Sequence, residues 1–197
     1  MTTANPRQAT PNPVIRTPGE AGIWLFVSGE ALVFTLFFCV FLYHRGSAAA
    51  QYAESRAHMN QVFGTLNTAF MLTSSWLLAQ AVNAARHRLA KLTSRLLRSA
   101  MLCGAGFVVV KFFEYSEKIH SGITLSTNDF YMYYYLFTGI HLMHVVLGMG
   151  VLAILSRYTA IGDLSDIKIQ HLESGATFWH FVDLLWILLF ALFYLLK

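Results

Sequence analysis

The sequence predicts an all-α protein, a polytopic membrane bundle of five transmembrane helices with its N-terminus inside. Three observations carry this. Hydrophobic residues make up 56% of the 197 and charged residues only 12%, and the mean hydropathy is +0.51, beyond the range of ordinary soluble domains. Five apolar stretches reach the ~20 residues a helix needs to cross a hydrocarbon core about 30 Å thick. Lys and Arg fall unevenly on the segments between those stretches, which sets an orientation.

All four prolines, Pro6, Pro11, Pro13 and Pro18, lie in the first 18 residues, so 1–20 reads as a flexible tail and 21–197 as the transmembrane domain. The tail is polar, and nothing before Gly22 resembles a cleavable signal. The expected spans are 22–43, 62–83, 99–118, 130–156 and 174–196. The second and fourth hold no Asp, Glu, Lys or Arg; the first holds only Glu30 and the fifth only Asp183. The third ends in Lys111, Glu114, Glu117 and Lys118, which reads as a solvated helix end where charges pair at i,i+3 and i,i+4. Short loops join the spans. The loop after the second carries Arg86, Arg88, Lys91, Arg95 and Arg98. Together with Arg7, Arg16, Arg157 and Lys168 this outweighs Arg45, Arg56, Lys118 and Lys197 on the other side, which places the N-terminus inside and the C-terminus outside.

Composition also excludes classes. A formal charge of +4, spread over loops, gives no nucleic-acid footprint. Cys39 and Cys103 lie within spans and imply no disulfide framework. Glu117-Lys118-Ile119-His120 matches the Glu-x-x-His element of carboxylate di-iron bundles, but that fold needs a second copy and the sequence has none.

The intramembrane polar residues are the functional candidates. An aspartate inside a span costs about 2.5–3.5 kcal/mol on insertion scales, so Asp183 in Trp179-His180-Phe181-Val182-Asp183-Leu184-Leu185-Trp186 implies a partner or a pathway. His180 and Asp183 share a helical face, and the expectation is that they lock the fifth helix to the fourth through His141 or His144. Glu30, about 10 Å into the first helix at 1.5 Å per residue, reads as a proton-relay acid, a lipid-headgroup contact or an acid hydrogen-bonded between helices. Gly22 and Gly29 allow close approach of a helix or a lipid. His141, His144 and His180 could ligate haem or a metal, although interhelical hydrogen bonding is the favoured role. Tyr115 and Tyr131–Tyr135 look like an interface belt. Trp24, Trp179 and Trp186 read as packing or belt residues, and Asn67-Thr68 as hydrogen-bonding glue between helices.

Taken in order, these pieces resemble subunit III of the haem-copper (cytochrome c) oxidases. The match runs from Gly22 to Leu196: Leu25-Phe26-Val27-Ser28-Gly29-Glu30, Leu66-Asn67-Thr68, Glu114-Tyr115, Thr138-Gly139-Ile140-His141-Leu142-Met143-His144-Val145 with Gly148, Glu173-Ser174-Gly175, and Trp179-His180-Phe181-Val182-Asp183 with Trp186. The resemblance implies a subunit with no catalytic centre and no redox cofactor of its own in a bacterial inner membrane. Haem and copper would lie in a partner, catalytic subunit I, and phospholipid is a possible ligand. It also implies an internal structural, proton or lipid network of Glu30, Asn67, Glu114, His141, His144, Glu173, His180 and Asp183. Long members have seven helices; this chain lacks the first two, which form one wall of a lipid cleft. Five-helix relatives serve cytochrome c oxidases, quinol oxidases and, as NorE-type proteins, nitric oxide reductase. Glu20-Ala21-Gly22-Ile23-Trp24 looks most like the last group, and Asn67-Thr68 leans away from the quinol oxidases. The rival classes are a haem b-carrying membrane anchor and a small transporter; the lack of an inverted repeat argues against the transporter.

Overall fold

The computed structural model describes residues 19–160, 162 and 164–196. All but the last two residues of the expected tail lie outside that set. Among the described residues there are six α-helices: α1 (Ala21–Ser47), α2 (Ala49–Ala57), α3 (Gln61–Arg86), α4 (Ala90–His120), α5 (Asp129–Ala160) and α6 (Asp166–Phe190). A π-helical turn, Ala191–Leu195, extends α6. Five are long and apolar enough to cross a membrane, α6 counted with its π turn, as the sequence predicts.

The helices run longer than the apolar stretches, and two expected loops shrink. Asn60 starts α3 by accepting the Val62 N–H (3.0 Å), an N-cap that satisfies one of the free donors of the first turn. At the other end Arg88 takes φ +59°, and the Arg88 and Leu89 N–H groups close back on Ala85 and Ala84. This left-handed stop leaves only three residues before α4. Lys91, Arg95 and Arg98 therefore stand on a helix, not in the predicted loop. The connection between the first two spans likewise contains α2. Tyr52 of α2 packs edge-on against Phe41 and Phe130, and Ser55 accepts hydrogen bonds from Asn128 Nδ2 and, through its carbonyl, Tyr131 OH. Burial, then Tyr133 and Asp129, pushes the Tyr52 phenol up to about 12, so it stays neutral.

Helices α3, α4, α5 and α6 form the bundle. Ser74 Oγ donates to the Ala100 carbonyl between α3 and α4, and Ser94 Oγ to the Ser156 carbonyl between α4 and α5. Trp179 fills the centre because two facing helices present glycines to it. A Cβ on Gly148 would lie 2.7 Å from the indole, and one on Gly104 would lie 3.0 Å away. α1 flanks this bundle and fully buries only Phe34 and Phe41, with Phe37 stacked on Phe137 and Phe41 against Phe193. Tyr131, Tyr133 and Tyr134 face this core and not an interface belt. Period alone could not show it, because α5 is apolar on every side.

Gly148→Leu is expected to clash with Trp179 and to destabilise the protein by about 1–3 kcal/mol. Gly139→Ala, with open space at its Cβ, is expected to change little. Thermal unfolding in one detergent compares them.

Candidate functional site

The eight candidate residues fall into separate groups. Glu114 belongs to the most enclosed. Lys111, Glu114 and Lys118 share the face of α4 that turns inward, and Lys111 is 0% and Glu114 1% exposed. The predicted solvated helix end is therefore an internal ion pair, and only Glu117 of that cluster stays outside. Lys111 Nζ donates to Glu114 Oε2 (2.8 Å), Tyr134 OH (3.2 Å) and Tyr194 OH (3.2 Å), so each of its three N–H groups has an acceptor. Tyr194 OH donates to Glu114 Oε1. The ammonium also lies 4.9 Å from the centroids of the Tyr134 and Trp186 rings, a favourable cation–π geometry. Tyr194 is supplied by the π turn, where the Leu196 N–H reaches the Ala191 carbonyl and both Phe193 and Tyr194 are buried.

Trp186 connects this group to the next. Its Nε1–H donates to Thr68 Oγ1 (3.0 Å), and its ring meets Phe107 edge-on and lies beside His141. Asn67 and His141 are fully buried in the interior, and no described protein group reaches the polar atoms of either side chain. Thr68 is thus the bonding member of the Asn67-Thr68 pair.

His144 belongs elsewhere. Its Nε2 lies 3.5 Å from Glu30 Oε2, and its Nδ1–H donates to the Ile140 carbonyl (2.9 Å). Glu30 is the interhelical partner of α5, with 28% of its side chain exposed. Nor do His180 and Asp183 join α6 to α5. His180 Nδ1 and Ser75 Oγ are hydrogen-bonded at 2.5 Å, and the Asp183 carboxylate lies near the same serine. The lock runs to α3, because the His180 side of α6 turns away from α5 and towards the α3 seam. No local pattern singles out Ser75 in the sequence; Lys111 is signalled by its i,i+3 spacing to Glu114, but that spacing alone reads as a solvated helix end.

Glu173 forms the last group, at the other end of the bundle. Its Oε1 takes Arg86 of α3 (2.8 Å), and its Oε2 takes the Gly19 N–H (3.3 Å). Ser174 Oγ accepts the Glu20 N–H, and His171 lies 3.2 Å from Glu20. These contacts tie the start of α1 to α6. Beneath them lies an apolar cleft of about 350 Å³ between α1, α5 and α6, lined by Ile23, Val151, Leu155 and Phe178 with Glu20 and His171 at its rim. Among the described residues no three His, Cys, Asp or Glu side chains converge as a metal site.

Glu114→Leu is expected to strand the buried Lys111 charge and to destabilise by about 3–5 kcal/mol, whereas the double variant Lys111→Met/Glu114→Leu removes both charges and is expected to recover most of that loss. Thermal melts of the single and double variants measure the difference.

A family model described as cytochrome c oxidase subunit III matches residues 7–197. The cytochrome c oxidase subunit 3 of Bacillus sp. (strain PS3) is 28% identical over 176 residues, spanning 89% of this chain and 84% of that protein. That of Synechocystis sp. is 28% identical over 193 residues, spanning 91% and 82%. The quinol oxidase subunit 3 of Bacillus subtilis is 29% identical over 177 residues, spanning 89% and 85%. With the family model covering nearly the whole length, and five helices able to span a membrane, the chain belongs to the cytochrome c oxidase subunit III family.

Proposed function

We propose that the chain is the non-catalytic membrane subunit of a bacterial haem-copper oxidase and that it meets the catalytic subunit along the seam between α3 and α6. The observation that carries the docking face is the His180–Ser75 pair. Both side chains are only half-buried, inside spans, and are flanked by exposed Leu72, Trp76, Leu184 and Ile187. Polar side chains inside a span rarely face lipid; they turn to the bundle interior or to another protein helix. A partner helix that offers a hydrogen-bonding side chain here would enclose the pair. The relatives' names support an oxidase as the partner enzyme. Haem and copper would reside in that partner. The cleft beside α1 fits the acyl part of a phospholipid. The basic ends of α3 and α4 support an N-terminus inside and a C-terminus outside.

Extracting the tagged chain in mild detergent is expected to bring down a haem protein, while the isolated subunit shows no Soret band. Recovery without any haem partner would remove the proposal, and a Soret band that follows the isolated chain and disappears in His144→Ala would establish the haem-anchor class instead. In the same assay Asp183→Leu, which leaves a polar partner unsatisfied at about 1–3 kcal/mol, is expected to lower co-purification more than Asp183→Asn. Normal assembly of both variants with equal loss of turnover would mean that Asp183 carries protons. A reporter fused after residue 197 is expected to be active only outside the cytoplasm.

A further inference from the structure

We propose that the outer face of α4 is a binding site for an anionic phospholipid, with its headgroup on Lys91, Arg95 and Arg98 and an acyl chain along the same face below them. This stands apart from which enzyme the chain joins. α4 has 31 residues and is about 46 Å long at 1.5 Å per residue, against a hydrocarbon core of about 30 Å. Lys91, Arg95 and Arg98 precede the uncharged stretch that begins at Ser99, so the first two turns or so stand at headgroup level.

The register of the outer face then matches a lipid. Lys91, Arg95, Arg98, Leu102, Val109 and Phe112 follow the alternating four- and three-residue spacing that keeps side chains on one stripe. All six are exposed, with Leu102 72% and Phe112 70% accessible. The stripe is cationic over about 10 Å at its start and carries no charge from Leu102 through Phe112. The opposite face is committed to the bundle: Ser94 is hydrogen-bonded to the Ser156 carbonyl of α5, and Leu97 and Ala100 are buried. That contact brings exposed Arg157, the neighbour of Ser156, to the same level as a fourth cation.

Arg86 and Arg88 are paired with Glu173 and Asp166. Lys91, Arg95, Arg98 and Arg157 have no acidic partner among the described residues. Their long side chains can reach phosphate while their stems lie on apolar surface. Charge complementarity therefore selects an anionic headgroup over a zwitterionic one.

The test uses the full chain reconstituted in phosphatidylcholine bilayers containing a minority of phosphatidylglycerol, followed by native mass spectrometry of the lipids retained in detergent. Phosphatidylglycerol is expected to be enriched on the protein, and each Lys or Arg changed to Gln is expected to weaken its retention about fivefold at low salt. Lys91→Gln/Arg95→Gln/Arg98→Gln is expected to abolish the enrichment. Lys91→Arg/Arg95→Lys/Arg98→Lys, which keeps the charge, is expected to preserve it, as is Arg88→Gln, whose cation is already paired. Helical content by circular dichroism confirms that each variant is folded. Displacement of the lipid by inorganic phosphate alone would show a headgroup-only anion site and overturn the acyl part. Equal retention of the two lipids by the unmodified chain, or enrichment unchanged in the triple Gln variant, would overturn the proposal. So would loss of the enrichment when the chain is purified with its partner enzyme, since the stripe would then be a protein interface.

Discussion

The bundle depends on how it accommodates one ammonium group. Lys111 lies fully enclosed within a span, and an isolated charge there would be prohibitive. It is tolerated because its three donors have three acceptors, one of them the Glu114 carboxylate, and because two aromatic faces lie over it. The acceptors come from α4, α5 and the π turn after α6. The pairing therefore specifies which residues of three helices must meet, and at what level. The π turn carries one of these acceptors, Tyr194, which is buried together with Phe193. Burying the pair need not add stability relative to an apolar core. It fixes register, which leucine packing in an apolar bundle does less sharply.

Around that point the polar side chains sort by what can reach them. Trp186 joins the Lys111 group to Thr68 and lies beside His141, so the interior between α3, α4, α5 and α6 is continuous. Glu30 with His144, and Glu173 with the Gly19 N–H, instead hold α1 to the side of the bundle, while Arg86 ties Glu173 to α3. α1 thus behaves as an outrigger, pinned at its start by polar contacts and further along by phenylalanines on Phe137 and Phe193. The apolar cleft lies between the outrigger and the bundle, next to the polar pins. His180 with Ser75 differs from the others in standing only half-buried on the seam between α3 and α6, and the proposed docking side rests on that exposure.

A polar residue in an apolar helix is easily seen in a sequence; its partner is not. Asp183 and His180 were legible as a pair that must be answered by another helix, since their cost in lipid does not depend on the fold. That the answer comes from Ser75 depends on the rotation of α6, which a helix apolar on nearly every side does not encode. The same uniformity hid the inward turn of Tyr131, Tyr133 and Tyr134. For Lys111 and Glu114 the local reading failed for another reason. Charges near a helix end are usually solvated, and only acceptors 23 and 83 residues away in sequence make this one an interior pair.

The sequence by itself determined the number and approximate extent of the spans, because length and hydropathy report directly on a bilayer's thickness. It also determined the family, because motifs in fixed order survive whatever the side chains touch. Tertiary structure alone decided the groupings: Glu30 with His144, Glu173 with Arg86, His180 with Ser75, and Lys111 with two distant tyrosines. These depend on helix rotation and register. In a membrane bundle both are set by close packing and hydrogen bonding between helices, since lipid offers no hydrophobic contrast to orient an apolar face.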